Sequence, residues 1–124
     1  MAEMTWHAGG LSIVLQTKPS HDSYQEVVFA ATCGGFTGTR PSWLDAGDID
    51  RFAGQVHRMW QELAGEAELY GEHGVEFSLR LTMTTGGHVD VQVDINEAWA
   101  NLHIEAQTDQ TFLPALHHGL LSIR

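Results

Sequence analysis

The sequence predicts an α+β fold. One two-layer domain over residues 1–124 would place a long central helix and a C-terminal helix on one face of an antiparallel β-sheet of about six strands. Three observations lead there. In residues 45–64 the apolar side chains Ile49, Phe52, Ala53, Val56, Met59, Trp60 and Leu63 recur at helical spacing and form one stripe. Val75, Phe77, Leu79, Leu81 and Met83 alternate with Glu76, Ser78, Arg80 and Thr82, and Val89, Val91, Val93 and Ile95 alternate with His88, Asp90, Gln92 and Asp94. That period belongs to strands with one dry face and one wet face. The connections between these runs are too short for parallel crossovers, so an antiparallel meander follows.

Taken in order, residues 11–16 read as a first strand, closed by the polar loop Thr17-Lys18-Pro19-Ser20-His21-Asp22-Ser23. Tyr24–Cys33 is a second strand, with Val27, Phe29, Ala31 and Cys33 on one face. Gly34-Gly35 turns or bulges the chain, residues 36–40 add a short third strand or widen the second, and Pro41 ends it. Ser42-Trp43-Leu44 leads into the helix, whose first turn is capped by Asp45 or Asp48 and whose end is marked by Gly65. Residues 66–70 form an edge-like strand and Gly71-Glu72-His73-Gly74 a tight connection. After the two strands described above, residues 98–106 complete the meander, with Ala98, Ala100, Leu102, Ile104 and Ala106 inward and Trp99, Asn101, His103 and Glu105 outward. The last helix has Thr111 as N-cap, Pro114 in its first turn, and Leu113, Leu116, Leu120 and Leu121 as its stripe.

Facing residues of an antiparallel pair share a face, which fixes register. A turn at Asn96-Glu97 sets Val91 beside Leu102, Asp90 beside His103 and His88 beside Glu105; in the preceding hairpin Leu81 faces Val91, so Arg80 lies diagonal to Asp90 and Asp94.

Composition narrows the function. Sixteen Asp and Glu against six Lys and Arg give a net charge of -10, which repels phosphate backbones and anionic lipid, so neither nucleic acid nor membrane is an expected partner. A basic protein is the partner this charge suits, although acidity also serves solubility. No apolar run reaches the roughly 20 residues of a membrane helix, and the first ten residues lack the basic and apolar regions of a signal peptide, so a cytoplasmic location is expected. Cys33, the single cysteine, reads as a small buried filler at the end of an apolar strand.

Eight histidines raise a metal hypothesis. The register above gathers His88, Asp90, His103 and Glu105 into a mixed nitrogen–oxygen set of the kind a metal-binding protein or small enzyme uses, yet the same four form an ordinary cross-strand charge ladder, the preferred reading. No G-x-S-x-G, H-E-x-x-H or phosphate loop is present, so no catalysis and no cofactor are expected. Trp99 stands out. Exposed beside Asp94, Asn101 and Asp90, it has the composition of an interface hot spot with a polar rim, unless a loop or terminus covers it.

Several segments together resemble a known family: Gly35-Phe36-Thr37-Gly38, Trp43-Leu44, Asp48-Ile49-Asp50-Arg51-Phe52, Leu63-Ala64-Gly65-Glu66-Ala67, Gly87-His88-Val89-Asp90-Val91 and Asp109-Gln110-Thr111-Phe112-Leu113. The pattern is similar to that of WapI-type immunity proteins and a related group of actinobacterial proteins of unknown function. The resemblance implies a non-catalytic cytoplasmic antitoxin that binds and neutralises a cognate toxin domain. The expected partner is then that basic toxin domain, with a homodimer as a further possible assembly. The residues expected to dock the toxin are Arg80, Asp90, Asp94, Trp99, Asn101 and His103, nominated by the register rather than by the family.

Overall fold

Strands with one dry face each need a cover, and the chain supplies it largely from a second sheet. The computed structural model describes residues 1–124. The N-terminal meander comprises β1 (Ala2–Ala8), β2 (Leu11–Thr17), β3 (Tyr24–Cys33) and β4 (Phe36–Asp45), paired antiparallel in that order. Helix α1 (Asp48–Glu62) follows, then a second meander of β5 (Glu66–Gly71), β6 (Phe77–Met83), β7 (His88–Asn96) and β8 (Asn101–Asp109), and finally α2 (Leu113–Ile123). The α+β class holds, but the strands divide into two sheets of four and do not form one sheet of about six.

Two misread stretches account for the difference. Met4, Trp6 and Ala8 of β1 are buried while Glu3, Thr5 and His7 are exposed, an alternation that was present in the sequence and not recognised as a strand. Strand β4 does not end at Pro41 but runs through it to Asp45, with Pro41 opposite Val28. Because β4 is the outermost strand of its sheet, the missing N–H of a proline is tolerated there.

The inner faces of the two sheets meet. Phe29 of β3 stacks on Phe77 of β6 with ring centroids 4.3 Å apart and planes 7° from parallel. Where β4 crosses the second sheet, a Cβ on Gly38 would lie 2.8 Å from Leu102 Cδ2 and 3.0 Å from Ile95 Cδ1, so any larger residue there would have to displace those two side-chain ends. The helices do not roof one sheet together as expected. Helix α1 packs on β5 and on α2, and α2 packs on β1. Trp6 Nε1 donates to the carbonyl of Phe112 at 2.8 Å and Thr17 Oγ1 to that of Ile123 at 3.2 Å, which pins α2 to the first sheet.

Inside α1 the expected stripe is buried at Ile49, Phe52, Ala53, Val56 and Met59; Trp60 is half-buried and Leu63 exposed. No Asp side chain caps the helix. Gly47, with φ of 88°, is the N-cap, while Asp48 in the first turn accepts a bond from the Asp45 N–H at 2.9 Å. In α2 the cap is Phe112 rather than Thr111, preceded by a 3-10 turn that Asp109 fixes by accepting from the Thr111 N–H at 2.8 Å. Ile123 takes the inward place expected of Leu121, which is exposed, and Val75, expected inward, is exposed before β6 begins.

Candidate functional site

The second sheet turns a polar face to solvent whose layout follows from strand register. Three rungs cross all four strands: Glu66-Thr82-Asp90-Gln107, Glu68-Arg80-Gln92-Glu105 and Tyr70-Ser78-Asp94-His103. A fourth, shorter rung pairs His88 with Asp109. Six carboxylates, Glu66, Glu68, Asp90, Asp94, Glu105 and Asp109, stand against one guanidinium, Arg80.

Leu81 faces Val91, as the alternation required. Between β7 and β8 the register differs from expectation by four residues: Asp94 faces His103 and Gln92 faces Glu105. The pairings of Asp90 with His103 and of His88 with Glu105 do not occur. Each of those pairs is displaced by about 13 Å along the strands, at about 3.3 Å per residue. The cause is the loop. Asn96 stays in the ladder, donating from its N–H to the Glu76 carbonyl at 2.9 Å and from its amide to the Val75 carbonyl at 3.0 Å, so β7 extends past the expected turn. Glu97 to Ala100 then form a four-residue loop, and Ala98 and Ala100, expected inward, are exposed. An even shift keeps every later side chain on its predicted face.

His88, Asp90, His103 and Glu105 are therefore not gathered, and no three His, Cys, Asp or Glu side chains converge as a metal site would need. The preferred ladder is present in altered form. His103 Nδ1 lies 2.6 Å from Asp94 Oδ1 and Nε2 lies 3.2 Å from Glu105 Oε1, so both ring nitrogens address carboxylates. Those bonds, Asp94 first, raise the His103 pKa above its ordinary value. Arg80 stands opposite Gln92 and diagonal to Asp90 and Asp94, as the register required, and its guanidinium pairs with Glu68 at 2.8 Å; Asp90 accepts from Gln107 Nε2 at 3.1 Å. A shallow depression of about 200 Å³ opens among Glu68, Ser78, Arg80, Gln92 and Asp94.

Asn101 opens β8, exposed and opposite Asn96. Trp99 sits in the loop and is 97% exposed, so no terminus or loop covers it. The loop is anchored: Glu97 N–H donates to the Ala100 carbonyl at 2.8 Å, and Arg40 of β4 reaches Glu97 at 2.7 Å while also bonding Glu76. Sequence reasoning missed Arg40, because its partners lie 36 and 57 residues away and no local pattern joins them. Also missed was a surface groove of about 620 Å³ bounded by Tyr24, Glu26, Pro41, Trp43 and Asp45. It depends on β4 continuing past Pro41. The Trp43 ring also meets the His73 ring in a T-shaped contact, with centroids 5.1 Å apart.

Comparison with known proteins bears on what this face is for. The model of the immunity protein WapI-like family matches residues 13–123. The chain belongs to the WapI-like immunity protein family. The match takes in every strand except β1, and both helices. A solved structure of MRP1/MRP2 from Trypanosoma brucei is similar in fold, with a TM-score of 0.50 and 9% identity, covering 96% of this chain and 79% of that one. At that identity the likeness is one of fold alone. No curated protein matches the chain. None of its helices is long and apolar enough to cross a membrane.

Proposed function

We propose that this WapI-like immunity protein binds a cognate toxin domain with the outer face of β5–β8 and the Trp99 loop, and neutralises it by occupancy rather than by chemistry. The observation that carries the reading is a tryptophan 97% exposed on an anchored loop beside a carboxylate-rich sheet face. A large aromatic gains most from burial against a partner, and acidic neighbours steer a basic one toward it. In this reading Trp99 is the anchor, Asp90 and Asp94 supply attraction, and Asn101, His103 and Arg80 form the rim. The site of action is the cytoplasm, where a delivered toxin would meet it, and neither nucleic acid nor lipid takes part.

The test uses the toxin domain encoded in the neighbouring reading frame. Titration calorimetry should give a 1:1 complex, and Trp99→Ala should weaken it by about 2 kcal/mol or more, roughly thirtyfold. Asp94→Lys should slow association and flatten its salt dependence. A toxin that binds the Trp99→Ala protein as tightly as the parent would refute the assignment of this surface.

A further inference from the structure

Four strands lie at sheet edges, and three have close neighbours beyond their own sheet. Strand β1 packs against α2, β5 against α1, and β4 against β5 and β7. Strand β8 packs closely on β7, with a lighter contact to β4 where its Leu102 meets Gly38. Its inward side chains reflect this, since Leu102 and Ala106 remain half-buried while Val89, Val91, Val93 and Ile95 of β7 are fully buried.

The hydrogen-bond phase tells which backbone groups are left over. Asn96 N–H bonds to Glu76 on the β6 side, and Glu97 N–H to Ala100 on the β8 side. Bonding direction alternates along a strand, so Ile95, Val93, Val91 and Val89 bond to Leu102, Ile104, Ala106 and Thr108. Asn101, His103, Glu105, Gln107 and Asp109 therefore point N–H and C=O away from the sheet. These are the β8 residues whose side chains lie on the acidic face. An open edge nine residues long, without proline or lysine, is a template for another strand.

We infer that the partner adds a strand to β8: an extended, basic segment of the toxin domain pairs with this edge, its polar side chains beside His103, Glu105 and Gln107 and its apolar ones beside Leu102 and Ala106. The inference rests on the immunity reading and names how the complex is made. Charge favours a basic partner over a second copy of the chain. Full-register antiparallel pairing of two β8 strands sets Glu105 directly against its own counterpart, a repulsive pair at the centre of the interface. Basic side chains opposite Glu105 and Asp109 reverse that sign.

Hydrogen exchange on the full chain, alone and saturated with the neighbouring-frame toxin domain, tests this. In the free protein the amides of His103, Glu105 and Gln107 should exchange at least tenfold faster than those of Leu102, Ile104 and Ala106; in the complex the first group should gain at least tenfold protection. Gln107→Pro removes an outward N–H without a charge change or a ladder bond, and should weaken binding at least tenfold beyond Gln107→Ala. If the toxin binds but these amides stay fast, or the two Gln107 variants bind alike, strand addition is wrong and the immunity reading stands. If the toxin does not bind at all, both fall. Protection of the same amides in a free protein that sediments as a dimer would overturn the assignment to a toxin strand.

Discussion

The two sheets are built alike inside and differ outside. Each is a four-stranded antiparallel meander with a mainly apolar inner face, broken in the first sheet by Arg40 and Ser42 of β4, and Phe29 and Phe77 are both without exposed surface. Outward, the first sheet presents rungs such as Thr5-Val14-Ala30-Thr39 and His7-Ser12-Thr32-Thr37, with Glu3 the one carboxylate among its three full rungs. The second presents five carboxylates on its three full rungs, Glu66, Glu68, Asp90, Asp94 and Glu105, and an adjoining exposed tryptophan. Packing dictates the inner faces, because each sheet must cover the other. Nothing in the fold requires the outer faces to differ. Their difference therefore points to what the surface meets, not to what the core needs.

The inner likeness can be broken most forcefully at the stacked pair. Phe29→Ala and Phe77→Ala should each cost about 3–5 kcal/mol in urea unfolding, because each empties a fully buried site at the junction of the sheets. The double variant should cost clearly less than the sum, since both rings line one cavity once either is gone. Simple additivity would mean that the sheets do not share a core at this point.

A smaller effect is expected at the one charged link between them. Arg40→Met should cost about 1–3 kcal/mol, because it strands the mostly buried Glu76 carboxylate with only Ser42 Oγ as donor, 2.7 Å away. Glu97→Gln should cost less than about 1 kcal/mol, its side chain being half exposed. The larger loss at Arg40 should come with weaker toxin binding, since Arg40 also holds the loop that carries Trp99. Equal stability changes for the two variants would show that Arg40 acts on the loop alone and does not join the sheets.

The same contrast marks what the sequence made legible. Strong alternation located β3, β6 and β7, and helical spacing located α1, because both follow from local period. Which face β6, β7 and β8 turn outward was also readable, as parity survives even a four-residue register error. Apart from β1, whose alternation is local, what failed depended on distant groups. The β7–β8 loop length is set by Asn96 bonding to Val75 and Glu76 and by Glu97 reaching Arg40, and β4 continues past Pro41 because it is an edge strand. The candidate site was found as a face but not as a set of partners: Asp94 with His103, not Asp90 with His103.

The smallest effect concerns that pair and separates it from His117, a half-buried histidine on α2 beside His57 of α1. Hydrogen bonds to Asp94 and then Glu105 raise the His103 pKa above 6.5, whereas burial, then the nearby His57, lowers that of His117, whose ring lies 4.8 Å from the His57 ring. The two have opposite sign in stability. A base whose pKa is raised on folding binds its proton more tightly when folded, so the His103 contribution is complete below pH 6.5 and fades as pH rises through the raised value. His117 binds its proton less tightly when folded, so its environment destabilises the fold as pH falls below 6.5. His103→Gln should therefore lower stability on the acidic side and converge with the parent above the raised pKa. His117→Gln should do the reverse, relieving acid sensitivity and leaving the neutral range unchanged apart from packing. Proton NMR of the imidazole Cε1–H groups gives the midpoints directly: His103 above 6.5 and His117 below, with Asp94→Asn moving only the first. A His103 midpoint unmoved by Asp94→Asn would mean that the carboxylate facing it is not its partner in solution.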